Sequence, residues 1–235
     1  MSGQFNWQRF VQTILNAVFP PRCLSCHQFG QWVCETCWQK VELISTPICY
    51  HCHKLSVNFK VCQNCQRQSS CQRLIVCGYW CDPLKQFVYG LKYRRVKPVT
   101  TALGQLLANT AREVIADQSV VIVPVPLHRW RLGNRGFNQA YELATVVAVQ
   151  LQQPFFDVLV RKKTTQPQFN LDRRERALNV QGVFNIKSNQ IINIQNKIVL
   201  LVDDIVTTGA TLNECAKVLK QNGAREVWGL VLAKA

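Results

Sequence analysis

Two patterns of apolar residues alternate along most of the chain. Short apolar runs predict strands buried on both faces, and segments with apolar positions every three or four residues predict amphipathic helices. Strands are predicted at residues 74–80, 120–125, 155–160, 183–186, 198–202 and 227–232, and helices at residues 82–95, 100–116 and 141–151 and after residue 209. Because strands and helices alternate, the sequence predicts an α/β fold with a mostly parallel sheet covered on both faces.

The amino-terminal segment has a different pattern. Residues 5–19 carry the apolar face of a short helix, which Pro20 and Pro21 end. Packing against the rest of the protein is the simpler interpretation of this helix, and binding to a membrane surface is the alternative. It lacks a basic leader and a small-residue cleavage site, and no apolar run is long enough to span a membrane. We therefore expect a cytoplasmic protein.

Four Cys-x-x-Cys pairs follow this helix, at Cys23/Cys26, Cys34/Cys37, Cys49/Cys52 and Cys62/Cys65. The two thiolates of each pair can coordinate one Zn²⁺ from a tight turn, and two pairs complete a tetrahedral Cys₄ site. The eight cysteines therefore predict two structural zinc sites. In a reduced compartment such cysteines favour metal over disulfides, and four pairs outside a βαβ unit argue against a redox role. We place a helix and double zinc ribbon at residues 1–70 and the α/β domain at residues 71–235.

The pattern of cysteines leaves two questions open. The zinc ligands are either sequential quartets, 23–37 and 49–65, or an interleaved cross-brace. Aromatic residues also lie among lysines and arginines between the cysteine pairs, at Trp32, Trp38, Tyr50 and Phe59. Such rings can stack on single-stranded bases or can form the small core that a ribbon needs. The three neighbouring histidines, His27, His51 and His53, are more typical of exposed turns than of ligands.

The strand predicted at residues 198–202 leads into a polar turn that can hold a sugar phosphate. Asp203 and Asp204 come first, and then Thr207, Thr208, Gly209, Ala210 and Thr211 open a helical pattern. The unpaired first amides of a helix favour a phosphate, and glycine lets the backbone approach it closely. Carboxylates at the carboxyl end of a strand can accept hydrogen bonds from vicinal ribose hydroxyls. An ordinary helix cap is the alternative interpretation.

The charge balance supports an anionic ligand. The formal net charge is +15 in 235 residues, which favours nucleotide phosphates, pyrophosphate or nucleic acid. Cations that can contact such a ligand lie at the end of one predicted helix, at Lys92, and after two predicted strands, at Arg129, Arg131 and Arg135 and at Arg161, Lys162 and Lys163. The segment after residue 160 is polar and basic, as expected of a loop that closes over a bound anion.

Residues 199–211 resemble the signature of the type I phosphoribosyltransferases, which has four hydrophobic residues, two acidic residues and a turn rich in Thr and Gly. This resemblance implies a type I phosphoribosyltransferase-like fold. It also implies that Asp203 and Asp204 hold the ribose of Mg²⁺–phosphoribosyl pyrophosphate, while residues 207–211 wrap its 5′-phosphate.

The whole chain resembles the ComF family of competence-associated proteins, in which a double zinc ribbon precedes a phosphoribosyltransferase-like domain. The resemblance rests on the cysteine pairs, the phosphate turn and three short motifs, Phe19-Pro-Pro-Arg-Cys, Pro124-Val-Pro-Leu-His and Arg135-Gly-Phe-Asn-Gln. It implies involvement in natural transformation, where incoming single-stranded DNA is handled in the cytoplasm together with the competence machinery, including its helicase or translocase.

Two functions from different classes are compatible with these motifs. As a phosphoribosyltransferase of nucleotide salvage or metabolism, the protein would use Asp203 and Asp204 catalytically, opposite the cations around the leaving pyrophosphate. Because three residues follow the last predicted strand, we expect no carboxyl-terminal hood over an acceptor. Only residues 71–95 or the ribbon would then form an acceptor pocket. As a binding module, the protein would instead sense phosphoribosyl pyrophosphate or a nucleotide while the ribbon and basic surface hold single-stranded DNA.

Overall fold

The computed structural model describes residues 20–94, 96–162 and 180–235, without the side chains of residues 94, 97 and 129–131. The helix predicted at residues 5–19 and most of the basic segment after residue 160 lie outside the described residues. The elements are α1 (Glu35–Trp38), α2 (Gln63–Gln66), β1 (Arg73–Tyr79), α3 (Leu84–Arg94), α4 (Lys97–Ile115), β2 (Val120–Pro124), α5 (Arg129–Arg135), α6 (Gln139–Leu151), β3 (Leu159–Arg161), β4 (Phe184–Ile186), β5 (Ile198–Val206), α7 (Ala210–Gln221) and β6 (Glu226–Lys234).

The central sheet has the strand order β1–β6–β5–β2, and all three neighbouring pairs are parallel. A separate antiparallel hairpin joins β3 to β4. The sequence prediction of a mostly parallel sheet is therefore confirmed. The carboxyl ends of the parallel strands lie along one edge, which is where ligands bind in sheets of this type.

Helices cover both faces of the sheet, as predicted. On one face the buried side chains of α3, α4 and α6 pack against alternate residues of the strands, including Ile75, Ile122, Leu200 and Leu230. On the other face α7 and the β3–β4 hairpin pack against Val123, Leu201 and Val231. Each strand thus buries both of its faces, which explains its uninterrupted apolar sequence.

The cysteine-rich region packs directly on the edge strand β1. Isolated antiparallel bridges join Leu43 to Gly78 and Lys60 to Arg73. Backbone N–H groups of Val61 and Leu74 donate across the same junction, to Gln72 and Phe59 respectively. These contacts pair the hydrogen-bonding groups of an edge that would otherwise be open.

Three elements differ from the sequence prediction. Helix α4 begins at Lys97 rather than at residue 100, because Pro98 fits the first turn of a helix, where its missing N–H is not needed. Residues 129–135, for which no helix or strand was predicted, form the helix α5. Phe155 makes a single parallel bridge to Ile122, and the chain then leaves the main sheet to form the β3–β4 hairpin.

Strand β5 also continues further than its apolar sequence predicts. It runs through Asp203 and Asp204 to Val206, because β6 pairs with it as far as Lys234. Within the described ranges no helix is both long enough and apolar enough to cross a membrane.

Candidate functional site

Asp203 and Asp204 lie near the carboxyl end of β5, at the carboxyl edge of the sheet. The Asp204 backbone N–H donates to Asp203 Oδ1 at 2.8 Å, and the Ile205 backbone N–H donates to Asp204 Oδ1 at 2.7 Å. Both residues are mostly buried and keep a small exposed fraction. Each carboxylate is therefore held by the backbone while lone pairs remain to accept further hydrogen bonds.

Lys92 in the last turn of α3 forms an ion pair with this acidic site. Its Nζ lies 3.1 Å from Asp204 Oδ2, and both side chains are mostly buried. The buried face of α3, formed by Leu84, Phe87, Val88 and Leu91, fixes the helix on the sheet. The structure thus brings together two of the predicted ligand contacts that are more than a hundred residues apart in sequence.

The surroundings of Asp203 disfavour its ionised form. Burial raises the pKa of its carboxyl well above the usual value, and the neighbouring Asp204 raises it further. The Asp204 backbone N–H and Lys92 lower this pKa and offset only part of the increase. The buried pair therefore tends to keep a proton in the free protein, and a cationic or hydroxyl-donating ligand would favour its ionised form.

The predicted phosphate turn connects β5 to α7. Gly209 is the amino-terminal cap of α7 and has a φ of 79°, a left-handed conformation that favours glycine. The Ala210 N–H donates to Thr208 Oγ1 at 3.3 Å, so the threonine hydroxyl faces the first amides of the helix. Thr207 is exposed and Thr211 partly exposed. This arrangement of amides and hydroxyls suits an anion.

The second half of the cysteine-rich region covers this turn. Tyr50 is buried, and a Cβ atom at Gly209 would lie 3.1 Å from Tyr50 Cε2. Tyr50 is fixed by a 2.6 Å hydrogen bond between its hydroxyl and that of Ser69, and Lys234 Nζ donates to its backbone carbonyl at 3.0 Å. Gly209 is thus required both by its backbone conformation and by the tyrosine ring packed against it.

A second polar cluster follows β2 and includes a residue that the sequence analysis did not single out. Arg135 donates to Gln139 Oε1 at 3.2 Å, and its guanidinium lies 5.3 Å from the centre of the Tyr93 ring, one residue after Lys92. Gln139 is 2% exposed, and its Nε2 is buried without a hydrogen-bond partner in the described structure. A buried donor without a partner lowers the stability of the fold, and a ligand that accepts a hydrogen bond from it would recover this free energy.

Gln139 was missed because its signal is positional. It is the first residue of α6, directly after the capping residue Asn138, whose side chain bonds to the Val125 carbonyl at the end of β2. A glutamine where a helix begins, beside the carboxyl edge of a sheet, is the pattern that would have identified it.

The remaining predicted cations lie apart from the acidic pair or outside the described structure. Arg161 is on β3, where its guanidinium lies 5.3 Å from the centre of the Phe184 ring, and Lys162 is exposed at the end of the hairpin. The side chains of Arg129 and Arg131 on α5 and the whole of Lys163 are not among the described residues. Their contacts with a ligand stay predictions.

The eight paired cysteines form two clusters. Cys23, Cys26, Cys34 and Cys37 make one, and Cys49, Cys52, Cys62 and Cys65 make the other, with all sulfur atoms of a cluster within 4.8 Å of one another. The Sγ atoms of Cys26 and Cys34 are 3.6 Å apart, and those of Cys52 and Cys62 are 3.5 Å apart. Four thiolates about 2.3 Å from a tetrahedral zinc place their sulfurs about 3.8 Å apart, so both clusters fit Zn²⁺.

The clustering decides between the two ligand groupings in favour of sequential quartets. Each quartet combines a tight turn with a short helix, and the turns place His27 and His53 at φ values of 62° and 61°, as turn residues outside the sulfur clusters. Burial opposes ionisation of Cys23, but backbone N–H groups outweigh it and lower the pKa of this thiol to about 6. Zinc in these closed sites would supply structure rather than catalysis.

Comparison with known proteins agrees with this architecture. Residues 14–66 match the double zinc ribbon domain, and residues 134–235 match the phosphoribosyl transferase domain. The two cysteine clusters and the parallel sheet lie within or beside these matches. The class is therefore a double zinc ribbon joined to a phosphoribosyltransferase domain.

Three relatives align with nearly all or most of the chain. It is 30% identical over 225 residues to Competence protein F of Haemophilus influenzae, covering 90% of this chain and 97% of that protein. It is 30% identical over 224 residues to DNA utilization protein YhgH of Escherichia coli K12, covering 90% and 96%. For Competence protein ComFC of Bacillus subtilis the identity is 30% over 198 residues, covering 81% and 79%. The chain belongs to the ComF family.

Proposed function

We propose that this protein binds Mg²⁺–phosphoribosyl pyrophosphate and acts in the cytoplasm on incoming single-stranded DNA during natural transformation. The single observation that carries the ligand proposal is the joining of the acidic pair, Lys92 and the phosphate turn at one edge of the sheet. The relatives' names, which refer to competence and DNA utilization, support the cellular role.

Each part of the ligand has a complementary group in this arrangement. The 5′-phosphate would lie against residues 207–211, and the ribose hydroxyls would donate to Asp203 and Asp204. The pyrophosphate would meet Lys92 and the Arg135–Gln139 cluster, with Mg²⁺ neutralising charge between the pyrophosphate and the carboxylates. Lys92 would exchange part of its ion pair with Asp204 for contacts with the ligand.

The same geometry also supports a phosphoribosyltransferase activity as a second candidate. Loss of pyrophosphate from C1 of the ribose would produce an oxocarbenium-like state, which the acidic pair would stabilise while the cations stabilise the leaving group. The specific observation in favour is the raised pKa of Asp203, since perturbed carboxylates concentrate at catalytic sites. An acceptor would then take the ribosyl group at C1.

Calorimetric titration with Mg²⁺–phosphoribosyl pyrophosphate tests the ligand proposal. We expect the zinc-loaded protein to bind it and the Asp203→Asn/Asp204→Asn double variant to lose binding while its affinity for a single-stranded oligonucleotide is retained. Asp157→Asn is the matched control, because Asp157 also forms an ion pair, at 2.7 Å, but with Lys187 instead of Lys92. Absence of binding to the wild-type protein would refute the ligand proposal.

Pyrophosphate release separates the two candidate functions. If phosphoribosyl pyrophosphate stays intact with every nucleobase or amine that is added, a binding role is supported. If pyrophosphate is released only when a nucleobase or amine is added, and only when Asp203 is present, catalysis is supported. Loss of oligonucleotide binding in the acidic double variant would contradict the division between a sugar-phosphate site and a separate DNA surface.

A further inference from the structure

Three aromatic side chains form a row along the outside of α3, which we call the aromatic strip: Trp80, Tyr89 and Tyr93. The ring centres of Trp80 and Tyr89 are 5.8 Å apart in an edge-to-face arrangement, and those of Tyr89 and Tyr93 are 6.4 Å apart at 30°. Tyr89 and Tyr93 are one helical turn apart, so they project from the same side of α3.

The strip is exposed although its rings are large and apolar. Tyr93 is 70% exposed and Tyr89 is 40% exposed, while Trp80 is partly buried against the core. The opposite side of the same helix carries Phe87 and Leu91, which are fully buried, so the strip is not needed to hold α3 on the sheet. A continuous exposed aromatic surface of this kind is characteristic of a binding site.

Cations lie beside both ends of the strip. Lys92 Nζ is 5.9 Å from the centre of the Trp80 ring, and the Arg135 guanidinium is 5.3 Å from the centre of the Tyr93 ring. Aromatic rings alternate with positive charges in proteins that hold single-stranded nucleic acid, because the rings stack on bases and the charges follow the phosphates.

The zinc ribbons offer a weaker platform of this type. Tyr50 and Phe59 are buried, and Trp38 packs with its ring centre 6.2 Å from that of Phe87. Trp32 also packs against the core, so all four ribbon aromatics that the sequence offered for base stacking contribute to it. Phe29, 59% exposed with the Arg22 guanidinium 4.2 Å from its ring centre, is the exposed cation–aromatic pair of the first ribbon.

We propose that the aromatic strip is the surface on which single-stranded nucleic acid stacks its bases. This inference rests on the proposed function and assigns its nucleic-acid partner to α3 rather than to the ribbons. A strand is favoured over a single nucleobase because the strip offers three rings in a row with a cation at each end. It is favoured over a protein partner because the net charge of +15 selects a polyanion.

Lys92 connects this surface with the sugar-phosphate site. Its ammonium contacts Asp204 on one side and lies over Trp80 on the other. A phosphate of the strand that recruits Lys92 would weaken its ion pair with Asp204, so strand and sugar phosphate compete for one cation. The two ligands should therefore bind with negative coupling, each lowering the affinity of the other.

The test measures binding of a fluorescent oligothymidylate of about 16 nucleotides, a length that one such surface can hold. We expect Tyr89→Ala/Tyr93→Ala to raise the Kd about thirtyfold or more, since the variant removes two of the three stacking rings. Tyr89→Phe/Tyr93→Phe should retain affinity, because stacking needs the ring and not the hydroxyl. Quenching of Trp80 fluorescence on binding, absent in Trp80→Phe, gives a second readout.

Phe29→Ala is the matched control and should leave the Kd unchanged. If Phe29→Ala weakens binding and the double tyrosine variant does not, the ribbon is the stacking surface and the inference is overturned. Equal affinity of all variants also overturns it. Retained binding of Mg²⁺–phosphoribosyl pyrophosphate by the tyrosine variant verifies that its fold is intact.

The failure of the inference differs from the failure of the proposed function. If the wild-type protein binds no single-stranded oligonucleotide, or binds duplex equally well, the DNA part of the proposed function fails. If the wild-type protein binds single strands and the strip variants bind equally well, only the location on α3 fails.

Discussion

Asp203 shows how folding and ligand binding make opposite demands on one residue. Its carboxyl is buried next to a second carboxylate, and for this reason its pKa is raised well above the usual value. A neutral Asp203 suits the fold, whereas an ionised Asp203 is the better acceptor for ribose hydroxyls and the better neighbour for Mg²⁺. The residue is retained at a cost in stability, as expected at a functional site.

The stability of Asp203→Asn should exceed that of the wild-type protein increasingly as the pH rises. Because the folded-state pKa is raised, the wild-type protein loses stability as the pH increases from the ordinary Asp pKa of about 3.9 to the raised value. The neutral asparagine avoids this loss and still offers an oxygen to the Asp204 N–H. Thermal unfolding of both proteins from about pH 4 upward measures this difference in stability, and each kcal/mol corresponds to about 2–4 °C in Tm.

Asp157→Asn is the control and should not raise the Tm at any of these pH values, because Asp157 is half-exposed and paired with Lys187. A constant or shrinking difference between Asp203→Asn and wild type with rising pH would contradict the electrostatic account.

Gln139→Leu should lower affinity for phosphoribosyl pyrophosphate about tenfold or more with little change in Tm. Leucine removes a buried Nε2 that has no partner in the described structure and one hydrogen bond from the half-buried Arg135, so folding loses little. A donor to a charged ligand, by contrast, contributes about 1.5–3 kcal/mol. Gln153→Leu is the matched control, since Gln153 Oε1 accepts from the Val120 N–H at 3.0 Å. It should lower the Tm and leave affinity unchanged.

At the residue scale, motif spacing predicted the acidic pair, the phosphate turn and all eight cysteines. Lys92 was predicted from its charge, and its contact with Asp204 is a property of the folded chain. Gln139 escaped prediction because its signal in the sequence is only positional, while its burial and its unpartnered Nε2 are properties of the folded chain.

At the scale of elements, each zinc ribbon supports a different half of the ligand site. Leu24, next to Cys23 in the first ribbon, packs so closely on α3 that a Cβ at Gly90 would collide with it. Tyr50, next to Cys49 in the second ribbon, packs on Gly209 of the phosphate turn. The first ribbon thus positions Lys92 and the aromatic strip, and the second positions the turn.

Tyr50→Ala should weaken binding of phosphoribosyl pyrophosphate several-fold beyond its effect on stability. Phe59→Ala is the matched control, because Phe59 is an equally buried aromatic of the same ribbon that lies away from Gly209. Both variants should lose about 3–5 kcal/mol of stability. Calorimetric titration at a temperature below the Tm of both variants compares their affinities when both are folded. Equal affinity in the two variants would show that Tyr50 does not support the turn.

The periodicity of apolar residues predicted most elements because long, strongly patterned segments carry the clearest signal. It missed α5, since residues 129–135 contain three arginines and a glycine and only two apolar side chains. It also could not place β3 and β4 in a separate hairpin, because a short apolar run does not specify which strand will pair with it.

At the scale of the molecule, ribbon and sheet share both hydrophobic cores. Cys23, Leu24 and Cys37 belong to the core on the α3–α4 face, and Cys49, Tyr50 and Val61 belong to the core on the α7 face. The alternation of strands and helices predicted the class of the sheet. The docking of the ribbons on β1 had no sequence signal, because it depends on contacts between distant surfaces.

A fragment of residues 71–235 should therefore lack a cooperative unfolding transition. Without the ribbon it exposes the edge of β1, including the backbone partners of Leu43 and Lys60, and part of each core. Circular dichroism during heating tests this, with the full chain as reference. A fragment as stable as the full chain would contradict the shared core. Removal of zinc from the full chain by a chelator should also lower the Tm of the full chain.

The close contacts at Gly90 and Gly209 give the zinc ribbons a geometric role. One glycine belongs to the helix that carries Lys92 and the other to the proposed phosphate turn, and each is contacted by a side chain from a different ribbon. Residues 38–48 connect the two metal clusters and run beside β1, where Leu43 meets Gly78. Because this connection is anchored on β1, we expect it to limit how far the two ribbons, and with them Gly90 and Gly209, can move apart.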